Sequence, residues 1–162
     1  MKTAERVWEA VLHSDSPEQT RELGRALGRL AGPGDVVLLW GPVGAGKTVL
    51  ASGILDGLGV PGPHPSPTFT LVHVYRGRLP AAHVDLYRLG EGLDPAEIDW
   101  EELMASGGVT VVEWPDRLGR LVPADALELR LRPEDGGRRL EAHPGGARAR
   151  ELWTRVREGV GL

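Results

Sequence analysis

The chain has 162 residues, close to the roughly 150-residue size typical of one domain, so a single domain over residues 1–162 is expected. Hydrophobic residues make up 41% and charged residues 26%, and no apolar run approaches the roughly 20 residues of a membrane span, which excludes a transmembrane protein. Cysteine is absent and the net charge is −4, so a disulfide framework is excluded, and a broad basic surface gripping DNA or RNA is not expected. Met1 to Ala10 lacks a basic segment followed by an apolar stretch, so the expected compartment is the cytoplasm.

In chain order, residues 6 to 12 alternate loosely, as an edge strand does. Ser16, Pro17 and Gln19 then form a helix start of the capping-box type. Leu23, Ala26, Leu27 and Leu30 share one helical face, and the helix is expected to end near Gly32. Residues 35 to 40 are a continuous apolar run, the pattern of a strand buried on both faces of a parallel sheet. A glycine-rich turn follows, and then a helix from Lys47 to Leu58. Thr68 to Tyr75 and Leu79 to Leu86 read as a hairpin turning near Gly77. A helix over Asp94 to Ala105, a buried strand over Val109 to Val112 and a short helix over Pro115 to Leu121 come next. Strands over 126–131 and 138–142 surround a turn at Asp135 to Gly137, and Ala147 to Glu158 is helical. The alternation predicts a three-layer α/β/α sandwich around a mixed, mostly parallel sheet.

Gly41-Pro42-Val43-Gly44-Ala45-Gly46-Lys47-Thr48 matches the phosphate-loop (Walker A) pattern G-x-x-x-x-G-K-[ST], and it lies between an apolar strand and a helix start, where the mechanism requires it. Glycines let backbone N–H groups converge on a phosphate, and the following helix adds its positive end. Val43, Gly44, Ala45, Gly46, Lys47 and Thr48 are therefore the expected phosphate cradle, with Lys47 on the β- and γ-phosphates and the Thr48 hydroxyl on Mg2+. Lys47 and Lys2 are the only lysines among 19 basic residues. The expected ligand is a nucleoside triphosphate with magnesium.

Ligands of open α/β sheets sit beyond the carboxyl ends of the strands. Asp85 and Glu113 are each the first carboxylate after an apolar run, which makes them candidates for supporting Mg2+ and for orienting or activating water. His83 reads either as a metal ligand or as a buried histidine behind the site, and Trp114 either as a core aromatic or as a lid. Ser66-Pro67-Thr68 either places hydroxyls near the γ-phosphate or is an ordinary turn, and Arg76, Arg78 and Arg88 are either a basic edge or a solvated surface. Reading guanine through Asn-Lys-x-Asp is impossible, because the chain has no Asn.

Taken together, Gln19-Thr20…Leu23-Gly24, the loop GPVGAGKT, SPTFTLV (66–72) with Tyr75, HVDLYRL (83–89) and VEWP (112–115) resemble the TsaE (formerly YjeE) family of bacterial P-loop ATPases. That family is required for threonylcarbamoyl modification of adenosine 37 in tRNA. The resemblance covers residues 19 to about 116, and its last three motifs are specific to the family. It implies a P-loop fold and ATP with Mg2+ as ligands. It also implies slow hydrolysis in isolation, coupled to a complex with TsaD and TsaB, in which TsaD performs carbamoyl transfer and tRNA is met only indirectly. Carried over by position, Lys47, Asp85 and Glu113 are the catalytic set, and Thr48, Asp85 and Glu113 the Mg2+ set. The loop opens Gly-Pro-Val-Gly where the family has Gly-Asp-Leu-Gly, and the segment 90–103 diverges. Ser14, or a C-terminal arginine such as Arg138, is the candidate for adenine contact. A small-molecule kinase and a nucleotide-dependent assembly factor with incidental turnover are the alternatives.

Overall fold

Apolar strands and amphipathic helices sort into one seven-stranded sheet with helices on both faces. In the computed structural model, which describes residues 6–89 and 97–160, the strands are β1 (Glu9–Ser14), β2 (Val36–Trp40), β3 (Val72–Arg76), β4 (Pro80–Asp85), β5 (Val109–Glu113), β6 (Leu127–Glu134) and β7 (Gly137–Pro144). The helices are α1 (Pro17–Leu30), α2 (Lys47–Gly57), α3 (Trp100–Ala105) and α4 (Ala147–Gly159), with a short 3-10 segment over Pro115–Leu121. Strand order across the sheet is β1-β7-β6-β2-β5-β4-β3. The central pairings β6-β2, β2-β5 and β5-β4 are parallel, whereas β3, β7 and β1 are added antiparallel. This is the expected sandwich: a parallel core of four strands with antiparallel margins. Among the described residues no helix is long and apolar enough to cross a membrane.

Alternation divides the strands between two apolar layers. Leu127, Leu129 and Leu131 of β6 meet Leu27, Leu50, Ile54 and Trp153 on the face covered by α1, α2 and α4. Leu38, Val84 and Val112 meet Ile98, Trp100 and Leu118 on the opposite face. Burying each such side chain contributes about 1.5–3 kcal/mol. Ser16 caps α1, its hydroxyl accepting from the Gln19 N–H at 3.1 Å, and Pro17 takes the first helical position. The Gln19 side chain accepts from the Asp15 N–H at 2.7 Å, one residue before the cap.

Elements depart from the sequence reading at several places, β6 and β7 running over Leu127–Glu134 and Gly137–Pro144 where 126–131 and 138–142 are expected. The first strand begins at Glu9 rather than residue 6. Residues 68–71 are not strand: the Leu71 N–H donates to the Pro67 carbonyl and Leu71 takes φ +67°, so a turn replaces the first half of the expected run. The helix expected from Asp94 starts at Trp100, because Asp99 is left-handed at φ +49°. Residues 94–96 of that expected helix, like 90–96 of the divergent segment, lie outside the described residues, as do residues 1–5 of the Met1 to Ala10 reading. The helix over Pro115–Leu121 is of the 3-10 type and is broken at Gly119, with φ 53° and ψ −115°.

Candidate functional site

The loop from Gly41 to Lys47 leaves β2 beside β6 and turns back into α2. Gly41 has φ +148°, and a Cβ there would lie 2.5 Å from the Leu131 carbonyl oxygen, so only glycine permits this exit from the sheet. Gly46, at φ +101°, caps α2 without a side chain and leaves the first N–H groups of the helix unshielded. No acidic residue of α2 itself occupies that first turn.

Opposite the loop, β4 and β5 run parallel with Asp85 directly paired to Glu113. Both residues end their strands, and period-two alternation turns both toward α2, on the same face as Ala81, Val109 and Val111. Asp85 is 4% and Glu113 2% exposed. Burial of two carboxylates is costly without partners, and both are supplied. Asp85 Oδ2 accepts from the Ser66 and Thr68 hydroxyls, each at 3.2 Å, and Oδ1 accepts from the Tyr87 N–H at 2.9 Å. Glu113 Oε1 accepts from the Thr48 hydroxyl at 3.0 Å, and Oε2 lies 2.6 Å from His83 Nε2.

Lys47 is the unusual cation of the site. It is 5% exposed, and its partners among the described residues are the Gly41 carbonyl and the face of Trp114, 3.5 Å from the ring centroid. Burial holds its ammonium below the ordinary lysine value, against the opposing pull of Glu113, Asp85 and Asp116. A buried ammonium that rests on a carbonyl and an aromatic ring is a site for an anion.

A cavity of about 610 Å³ joins these groups. Val43, Gly44, Gly46, Lys47 and Thr48 form its floor, and Asp85 and Glu113 one wall. Ser14, Ser16 and Thr20 form a wall from the β1–α1 junction, and Arg138 lines the cavity from the start of β7. Arg138 donates to the Gly44 carbonyl at 3.0 Å. The volume suits a nucleotide-sized ligand.

Of the residues expected at the site, Ala45 behaves differently: its methyl is fully buried in the core and its N–H donates to the Pro42 carbonyl at 3.2 Å. His83 is turned to Glu113, as a histidine behind the site rather than a residue on the cavity. Trp114, left-handed at φ +60°, lies over Lys47 and packs against Tyr87, with centroids 5.0 Å apart. Ser66 and Thr68 hold Asp85, and Ser14 bonds the Ser16 carbonyl and the Thr20 hydroxyl. Two of the three arginines are engaged by the chain itself, and Arg76 is exposed. Arg78 donates to the Gly28 and Ala31 carbonyls at the end of α1, and Arg88 stacks on Phe69. Sequence reasoning missed the Gly136-Gly137 turn and Tyr87 as lining residues. Tyr87 had a signal in its place two residues after Asp85, but nothing local links residue 137 to the loop.

Comparison with known proteins identifies the family. The family model described as "Threonylcarbamoyl adenosine biosynthesis protein TsaE" matches residues 14–140. The chain is 40% identical over 128 residues to the tRNA threonylcarbamoyladenosine biosynthesis protein TsaE of Treponema pallidum, covering 78% of this chain and 95% of the relative. It is 44% identical over 114 residues to the protein of the same description from Streptomyces coelicolor, covering 68% and 77%. The crystal structure of Bacillus subtilis YdiB superposes with a TM-score of 0.81 at 27% identity, over 96% of this chain and 99% of that one.

Proposed function

The chain belongs to the TsaE family of threonylcarbamoyl adenosine biosynthesis proteins, and on that premise we propose that it hydrolyses ATP with Mg2+ in support of tRNA adenosine-37 threonylcarbamoylation, acting with TsaD and TsaB. The observation that carries the hydrolytic part is Lys47: a buried ammonium lining a nucleotide-sized cavity, beside a glycine loop and a paired set of carboxylates.

On this reading Lys47 leaves the Gly41 carbonyl for the β- and γ-phosphates, and the N–H groups from Val43 to Thr48 that are free of internal partners bind the phosphate oxygens. Thr48, Glu113 and Asp85 supply hard oxygen donors, which suit Mg2+ because it takes few protein ligands and keeps phosphate and water for the rest. When bound, magnesium neutralises charge developing on the phosphates. Glu113 Oε1, already directed at Thr48, orients or deprotonates the attacking water, a role worth about 10²–10⁴-fold. Asp85, tied to Ser66 and Thr68, holds the 66–71 loop against the γ-phosphate end of the cavity. Arg138 and the β1–α1 wall border the nucleoside end. Carbamoyl transfer belongs to TsaD, and hydrolysis here resets the complex between turnovers, so tRNA is met through the partners.

The test is ATP turnover and Mg·ATP binding by the wild-type chain and Glu113→Ala, alone and with a reconstituted TsaD–TsaB pair. Slow turnover that rises with the pair and collapses in the variant, while binding persists, is the expected result. Turnover indifferent to the pair, appearing only with a small-molecule acceptor, would make the chain a kinase instead.

A further inference from the structure

Glu113 divides its two oxygens between different tasks. Oε1 faces Thr48 and the cavity, whereas Oε2 points back at the imidazole of His83, 2.6 Å away. His83 is 1% exposed and sits on β4 in register with Val111 of β5, two residues before Asp85 and therefore on the same face. It does not line the cavity. Among the described residues its Nδ1 is buried without a hydrogen-bond partner, and Nε2 faces the Glu113 carboxylate, so Nε2 is the nitrogen that donates. The ring is thus a fixed donor to Glu113, clamped between strands that cannot shift without breaking the β4–β5 ladder.

We propose that His83 is the positioning residue for Glu113, fixing its carboxylate so that Oε1 stays on the Thr48–Mg2+ site. This rests on the reading of Glu113 given above. A glutamate has three side-chain torsions, and a bond at Oε2 removes the rotation that would carry the carboxylate away from Thr48. Released from His83, Glu113 is free to turn its carboxylate off Thr48, which leaves the Thr48 hydroxyl without its acceptor and the Mg2+ site without its glutamate. His83 touches neither the cavity nor the reacting atoms, so its effect passes through Glu113 alone.

Two variants separate donor from volume. His83→Gln keeps an N–H near the position of the ring Nε2, and His83→Phe keeps the ring without the donor. Each is compared with wild type and Glu113→Gln for ATP hydrolysis in the presence of the TsaD–TsaB pair, ATP binding without Mg2+, the Mg2+ concentration that half-saturates ATP binding, and thermal midpoint. In His83→Phe, kcat falls about 10-fold or more and the half-saturating Mg2+ concentration rises, with KM and magnesium-free ATP binding within about two-fold. His83→Gln restores most of the loss, and His83→Phe adds nothing on the Glu113→Gln background. Nitrogen NMR of the nucleotide-free protein places the His83 proton on Nε2.

If His83→Phe keeps wild-type kcat and magnesium dependence while Glu113→Gln loses turnover, the positioning role is wrong and the hydrolytic reading stands. If Glu113→Gln itself keeps turnover, the catalytic role given to Glu113 fails instead, and the positioning role of His83 with it. Should His83→Phe not fold, His83→Leu, which also lacks the donor, takes its place with the same two outcomes. A ring with its only proton on Nδ1 also overturns the role.

Discussion

Gly28→Ala drives a methyl group into the backbone of a neighbouring helix. A Cβ at residue 28 lies 2.1 Å from the Ile54 carbonyl oxygen and 2.8 Å from the Gly57 Cα. Ordinary contact begins at 3.4 Å, so α1 and α2 must part by about 1.3 Å, and neither obstacle is a side chain that can rotate away. Overpacking costs about 1–3 kcal/mol, and a backbone obstacle places this site at the upper end. Alanine recovers up to about 1 kcal/mol of helix propensity, leaving a net loss of about 2 kcal/mol. For a chain of this length that lowers the thermal midpoint by about 4–8 °C. Gly159→Ala is the control, because its Cβ meets nothing within 4 Å at the end of α4, and it should hold or slightly raise the midpoint. The assay is thermal and urea unfolding of the three proteins in parallel. A Gly28→Ala protein as stable as wild type would refute the close α1–α2 crossing, since propensity alone favours alanine.

Lys47→Met should weaken ATP binding about 30-fold or more, from the 2 kcal/mol or more lost with a desolvated charge partner, as titration calorimetry would show. The same variant carries a pH signature. Burial lowers the Lys47 value from 10.5, so between the folded value and 10.5 the unfolded chain holds more protons than the folded one, and stability rises with pH there. The cost of burying the ammonium is therefore complete below the folded value and relieved toward pH 10.5. Urea unfolding at pH 7 and pH 10 should show wild type gaining relative to Lys47→Met, and the reverse trend would contradict the burial argument. Arg138→Ala removes a donor to the Gly44 carbonyl and should weaken nucleotide binding about five-fold, from about 1 kcal/mol, with little change in thermal midpoint. Ser16→Ala removes the α1 cap and should cost about 1 kcal/mol, seen as a midpoint lowered by about 2–4 °C.

What could be read from the chain alone is what depends on neighbours in sequence. Strand, glycine loop and helix are contiguous from Val36 to Gly57, so the phosphate loop carries its own context. The Ser16 cap and the Leu23-Ala26-Leu27-Leu30 face are likewise local, set by hydrogen bonds and periodicity within one or two turns. Asp85 and Glu113 were visible as carboxylates ending apolar runs, but their juxtaposition was not. It arises because β4 and β5 pair in parallel with no residue of offset, a register decided by burial on both faces of the sheet. His83 on Glu113, Ser66 and Thr68 on Asp85, and Arg138 on Gly44 follow from that assembly, spanning 30, 19, 17 and 94 residues of chain. The glycines illustrate the divide most clearly. Within either helix, Gly24 and Gly28 or Gly53 and Gly57 only weaken helical propensity. In the tertiary structure, Gly24 faces Gly53 and Gly28 faces Gly57, so the main chains touch where any side chain would hold them apart. Local chemistry thus wrote the phosphate loop into the sequence. The strand register and the helix crossing, set by long-range packing, decided which side chains surround it.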